Sequence, residues 1–217
     1  MVSIEYILFI CVVAPLFLML LMLSGRPKLL LGFMIIGIVA CLFASELNAL
    51  LLPVFHNDMS YMTSVITPIT EEIIKALPIL FYAKVFSDNR RTVMVISIAL
   101  GIGFGMFENT VILVQNIENV TILWAVIRGF STALMHGICT LSVGFGISFI
   151  NKRKKLFYSG IFALLTFAAI YHGIFNMLQM EYKYIGAFLP IVTYLPILVL
   201  QLKDISKRNE AKKASAN

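Results

Sequence analysis

Charge is scarce in this chain. Of its 217 residues only 13% are charged and 60% are hydrophobic, whereas a soluble domain carries about a quarter charged residues. A mean hydropathy of +0.94 excludes an ordinary soluble domain and leaves no room for one beside the apolar runs. Cysteine is as sparse as histidine, with three of each. Cys11, Cys41 and Cys139 all lie in apolar runs. No CxxC or Cys/His spacing links them, which excludes a disulfide frame and a zinc finger. They read as small packing residues. No HExxH pair occurs, and no Ser or Cys stands beside a His–acid pair. Strand alternation, internal repeats and low-complexity stretches are also missing. Lipid admits only helices or closed barrels, so helices remain. The N-terminal run does not read as a cleavable signal, because Glu5 stands where basic residues would be expected and the run is long.

What is present is a series of apolar runs near the length of about 18 residues or more that marks a spanning helix. They place spans at 3–24, 29–54, 64–86, 92–115, 121–150, 156–178 and 185–202. The expected fold class is all-α, a polytopic transmembrane bundle of about seven spans over residues 1–202, with a basic cytoplasmic tail at 203–217. Loop charges set its orientation. Arg26, Lys28, Lys84, Arg90, Arg91, Lys152 to Lys155 and the tail supply 14 of the 17 basic residues to one side. His56, Asp58, Glu118, Glu181 and Lys183 fall on the other. The positive-inside rule then gives N-out and C-in. The formal charge of +6 therefore points to the cytoplasmic face and anionic lipid of a cell membrane, with no nucleic-acid partner.

Against this background six ionisable residues lie inside spans: Glu46, Glu71, Glu72, Lys75, Glu108 and Arg128. Each would cost about 2.5–3.5 kcal/mol near the membrane centre. Standing alone in lipid they would cost roughly 15–20 kcal/mol together, so they must pair or meet water. Glu46 with Asn48 reads as a helix-packing pair. The others fall on helical stripes. Glu71, Glu72 and Lys75 share one side of the third span. Phe104 and Glu108 are four apart on the fourth, with Asn109 beside the acid. Arg128, Thr132 and His136 step by four along the fifth, and His172 with Asn176 along the sixth. At 1.5 Å per residue, Glu72 lies about 12 Å from its outer end, Glu108 and His172 about 10 Å, and His136 about 20 Å. Such a cluster sits between the outer interface and the midplane. Ser97, Gly101 and Gly105 recur at four-residue spacing, a ladder that lets a neighbouring helix approach closely.

These residues resemble the PrsW family of membrane-embedded proteases, related to CAAX-prenyl proteases and bacteriocin-processing membrane enzymes. The resemblance rests on Glu71-Glu72-Ile73-Ile74-Lys75, then Phe104 to Glu108 followed by Asn109, then Arg128 with His136, then His172 with Asn176. These lie in order on successive spans, over a catalytic core at about 64–178. Lys75 and Glu108 stand where the CAAX-prenyl branch typically has Arg and His, which favours PrsW. The resemblance implies an intramembrane protease that cuts a membrane-anchored, single-span protein near the outer face. The implied substrate is an anti-sigma factor.

Peptide hydrolysis needs an activated water, a stabilised oxyanion and a proton for the leaving amine. Glu72 or Glu71 serves as general base, and Lys75 orients the pair. His136, His172 and Asn176 polarise the carbonyl or protonate the leaving group. Glu108 orients a histidine or binds a metal. Phe104, Asn109 and Arg128 support the site. Glu71, Glu72 and Glu108 against Lys75 and Arg128 leave one negative charge. A divalent metal such as zinc would balance it, with Glu108, His136 and His172 as candidate ligands. The residues leave metal dependence open. They also admit a transporter or proton relay, and a non-catalytic membrane scaffold.

Overall fold

The computed structural model describes residues 4–150 and 154–196. Helices dominate: α1 (Ile4–Met22), α2 (Gly25–Leu51), α3 (Thr67–Val85), α4 (Arg90–Gln115), α5 (Ile122–Ile147), α6 (Lys154–Glu181) and α7 (183–196). Among the described residues there is no strand. Five segments are long and apolar enough to cross a membrane: Ile4–Met22, Gly25–Phe55, Arg90–Gln115, Ile122–Ile147 and Phe157–Glu181. The protein is thus a multi-pass membrane protein. α3 falls outside that set because it carries Glu71, Glu72, Lys75 and Lys84, the charges that make it interesting. The seventh expected span is described only to residue 196, and the tail lies outside the described residues.

Local chemistry sets the helix starts. Asn89 Oδ1 accepts from Thr92 N at 3.2 Å to open α4, and Thr121 Oγ1 accepts from Trp124 N at 3.2 Å to open α5, each satisfying an N–H that the helix leaves unpaired. Between α2 and α3 the chain turns through left-handed His56 and Asn57. Asp58 caps one turn, Met59–Tyr61, through Tyr61 N. A widened π turn, Met62–Ile66, then runs into α3. Pro68 sits in the first turn of α3, and because the π turn before it is already helical, its missing N–H leaves a carbonyl of that turn without an intrahelical donor.

α4 is the central helix, packed between α2 and α5. Small residues permit this. A Cβ on Gly101 would lie 2.0 Å from Thr140 Oγ1 and 2.4 Å from the His136 carbonyl. On Gly105 it would lie 2.7 Å from the His136 ring. On the other side, Gly37 meets the Leu100 carbonyl and Gly103 meets that of Met34. In lipid no hydrophobic force drives helices together, so such close approach supplies the attraction. The half of the bundle where α4 begins and α5 ends is a core of Ile79, Val93, Ile96, Leu100, Met135, Cys139, Val143 and Ile147.

Candidate active site

The four polar stripes converge. Lys75 is fully buried, and its Nζ donates to Glu72 Oε1 at 2.6 Å. The same ammonium lies 2.8 Å from His136 Nδ1 and 4.5 Å above the Phe104 ring. An ammonium only donates, so Nδ1 accepts and the hydrogen of a neutral His136 sits on Nε2. That nitrogen meets Glu108 Oε2 at 2.5 Å. On α6, His172 Nδ1 meets Glu72 Oε1 at 3.0 Å. Its Nε2 faces Glu71 Oε2 at 3.8 Å. The two imidazoles stand edge to face, 4.8 Å apart between centroids. Lys75, Glu72 and Glu108 are each hydrogen-bonded to a partner on another helix or another turn, which is how such groups are tolerated in a membrane.

Two buried oxygens remain without a hydrogen-bond partner, Glu71 Oε2 and Glu72 Oε2. An unpartnered buried acceptor costs about 1–3 kcal/mol, so these atoms mark where something else belongs. Glu71, His136 and His172 bring ligand atoms within 4.8 Å of one another. This donor set suits a divalent metal such as zinc, and Glu71, whose Oε2 has no partner, belongs to it. Glu72 on His172 Nδ1 resembles the carboxylate that orients a metal-bound histidine from behind. His136 joins the set only by releasing Lys75 or Glu108. Glu108, expected as a ligand candidate, contacts His136 from outside this trio.

Through Glu71 and Glu108 the network reaches the floor of a cavity of about 570 Å³, with Glu72, Lys75, His136 and His172 buried behind them. Glu71, Glu108, Arg128 and Asn176 line it, as do Glu5, Asn48, Gln115, Gln179 and Lys183. It opens at the end of the bundle where α1 and α5 begin and α4 and α6 end. Arg128 is fixed by Asn109, which accepts from its guanidinium at 2.6 Å. Asn176 donates one amide hydrogen to the Thr63 carbonyl in the π turn at 3.0 Å. Ser131 is buried and donates to the Arg128 carbonyl at 3.2 Å, away from any histidine contact.

Three features differ from the sequence expectations. His136 was counted some 10 Å deeper than Glu108, yet the two touch, because counting from helix ends assumes parallel helices with level ends. Glu46 and Asn48 bond to separate helices, Glu46 to Tyr6 at 2.5 Å and Asn48 to Thr70 at 2.6 Å. Asn48 and Gln179 also line the cleft beside the expected residues. The signal for Gln179 was its place three residues after Asn176 on one helix face. For Asn48 it was a polar residue in an apolar run.

The fold and site define a multi-pass helical membrane protein built around a buried carboxylate–histidine cluster. The chain belongs to the PrsW family, described as "PrsW family intramembrane metalloprotease", which matches residues 25–201. It is 26% identical over 151 residues to "Protease PrsW" of Clostridioides difficile (strain 630), an alignment covering 66% of this chain. The chain spans about three fifths of that relative's length, 61%. No solved structure matches. The expected family is thus borne out.

Proposed function

We propose that the protein hydrolyses a peptide bond of a membrane-anchored protein in the outer half of the bilayer. The observation that carries this reading is the convergence of Glu71, Glu72, Lys75, Glu108, His136 and His172 from four helices into one network that reaches a cleft through Glu71 and Glu108. A structural ion-pair network has no need of a cleft, and a transporter or proton relay needs a polar path onward. Inward of Lys75 the packing is apolar, with Ile79, Ile96, Leu100 and Met135 fully buried. Ser97 and Thr140, polar residues in that region, donate to carbonyls of their own helices.

The two adjacent glutamates have different neighbours. Glu72 Oε1 is engaged twice, by Lys75 and by His172. Glu71 lines the cleft and keeps an unpartnered oxygen. We therefore assign Glu71 to meet the attacking water and Glu72 to hold His172 in the tautomer that turns Nε2 towards Glu71. A divalent cation would be held by Glu71, His136 and His172, and when bound it would polarise the carbonyl and acidify the water. Lys75 fixes His136 from the side opposite Glu108. Arg128, set by Asn109 in the cleft wall, supplies a cationic donor for a developing oxyanion. Asn176 has a second amide hydrogen available for the substrate carbonyl. The loop charges put the cleft mouth outside, which fits a single-span regulator such as an anti-sigma factor as substrate.

Co-expression with candidate single-span regulators tests this. Fragment formation is expected with the wild type and lost in Glu71→Gln. Glu72→Gln is expected to retain a residual rate and to lower the bound-metal content of purified protein. Uncut candidates throughout, together with an ion flux in proteoliposomes, would replace proteolysis by transport. Full activity after exhaustive chelation, with no metal detected, would remove the metal from the account.

A further inference from the structure

A spanning helix cannot reach the cleft from water. It must come sideways from lipid, between two helices. The seams of the cleft differ in how firmly they are closed. At the α3 side, α6 is riveted: a Cβ on Gly173 would lie 2.5 Å from the Ser64 carbonyl. Asn176 bonds Thr63 and His172 bonds Glu72 across the same seam. An apolar groove of about 450 Å³, lined by Ile69, Ile73, Ile170 and Ile174, lies along it.

α1 is held differently. None of its residues is buried. Leu8, Phe9, Val12, Val13 and Leu16 rest half-buried on a cluster of α2, α3 and α4 residues that includes Cys41, Ala44 and Phe107. Phe9 meets Phe107 edge to face at 5.8 Å. Polar ties gather in the first turn, at the cleft mouth: Tyr6 donates to Glu46 at 2.5 Å, and Gln115 donates to Glu5 at 2.7 Å. Tyr6, Glu46 and Gln115 lie at the surface of the bundle and Glu5 is half-buried. Pro15 interrupts the hydrogen-bond ladder of α1 near its middle. The family match begins at residue 25, after α1 has ended.

We propose that α1 is a movable wall of the cleft, and that the α2/α4 face beneath it seats the spanning helix of the substrate. α1 itself shows what the face accepts: one apolar helix, of mean hydropathy 2.6, held by shallow contacts. The cavity continues from this face to the floor, since Cys41, Leu42, Phe107 and Val111 line it together with Glu71. The identity of the partner rests on the protease reading; the motion of α1 does not.

The test uses the full chain in liposomes with Cys11→Ser, so that buried Cys41 reports on the covered face and buried Cys139 on the core. Labelling by a lipid-soluble maleimide is followed in time. Tyr6→Phe with Gln115→Leu is expected to speed Cys41 labelling at least fivefold and leave Cys139 unreactive. A bridged Tyr6→Cys/Glu46→Cys pair is expected to slow it below the parent. A synthetic peptide of residues 4–22 carrying benzoylphenylalanine at position 9 is expected to photo-crosslink to α2 or α4 in the loosened protein alone. Unchanged labelling in both variants, parallel labelling of Cys139, or adducts on α3 and α6 would each overturn the proposal. These readouts need no proteolysis, so a chain that opens but cuts nothing would overturn the protease reading and leave the gate standing.

Discussion

The two halves of this bundle, an outer one at the cleft and an inner one beyond Lys75, share the same helices yet are held together by opposite means. α4 and α5 pass through both. In the inner half, Ile79, Ile96, Leu100 and Ile147 fill space without a polar partner, and Gly101 and Gly37 bring backbones into contact. In the outer half, Lys75, Glu72, His136, Glu108 and His172 occupy equivalent interior positions through mutual hydrogen bonds. Apolar packing would be cheaper there, because buried ion pairs rarely repay their desolvation. On the proposed reading the outer network is kept for chemistry, and removing one member exposes its cost.

The predictions separate these two roles, from the largest effect down. Glu71→Gln should lower cleavage by about 1000-fold or more, roughly 4 kcal/mol of barrier, with an unchanged melting profile in detergent. Lys75→Met leaves Glu72 and His136 without their shared donor and should destabilise the fold by about 3–4 kcal/mol in denaturant titration. Pairing it with Glu72→Gln should recover part of that loss. In the inner half, Ile96→Ala leaves a cavity and should cost about 2–3 kcal/mol by the same titration, while cleavage by the remaining folded protein persists. Gly101→Ala forces α4 and α5 apart and should cost about 2 kcal/mol. Gly32→Ala, whose Cβ meets Leu20 at an ordinary 3.8 Å, should change stability by under about 1 kcal/mol. An Ile96→Ala variant that folds normally but cannot cut would erase the contrast between the halves.

Much of this was legible in the amino-acid order. The helix limits follow the apolar runs closely, as in α4, expected at 92–115 and found at Arg90–Gln115. The polar stripes of α3 to α6 were visible because helical spacing is local. Their contacts were legible only as a grouping. That Lys75 bridges Glu72 and His136, or that Glu71 alone of the acidic pair lines the cleft, depends on helix rotation and tilt, which a single sequence does not encode locally. The π turn at Met62–Ile66 carries no distinctive residue pattern, yet it presents the Thr63 carbonyl to Asn176. Glu46 and Asn48 looked like one feature because they are neighbours in the chain, whereas their side chains serve different helices.

The central claim is that the outer network cuts a membrane-anchored protein by hydrolysis in the cleft. Its most direct test is paired membrane proteomics of cells carrying the wild type or Glu71→Gln, grown with a pulse of ¹⁸O-water. The account predicts at least one single-span protein cut near the outer end of its span, with ¹⁸O in the new carboxyl terminus, in the wild type alone. Identical fragment patterns in the two strains, or cuts confined to the inner face, would contradict it.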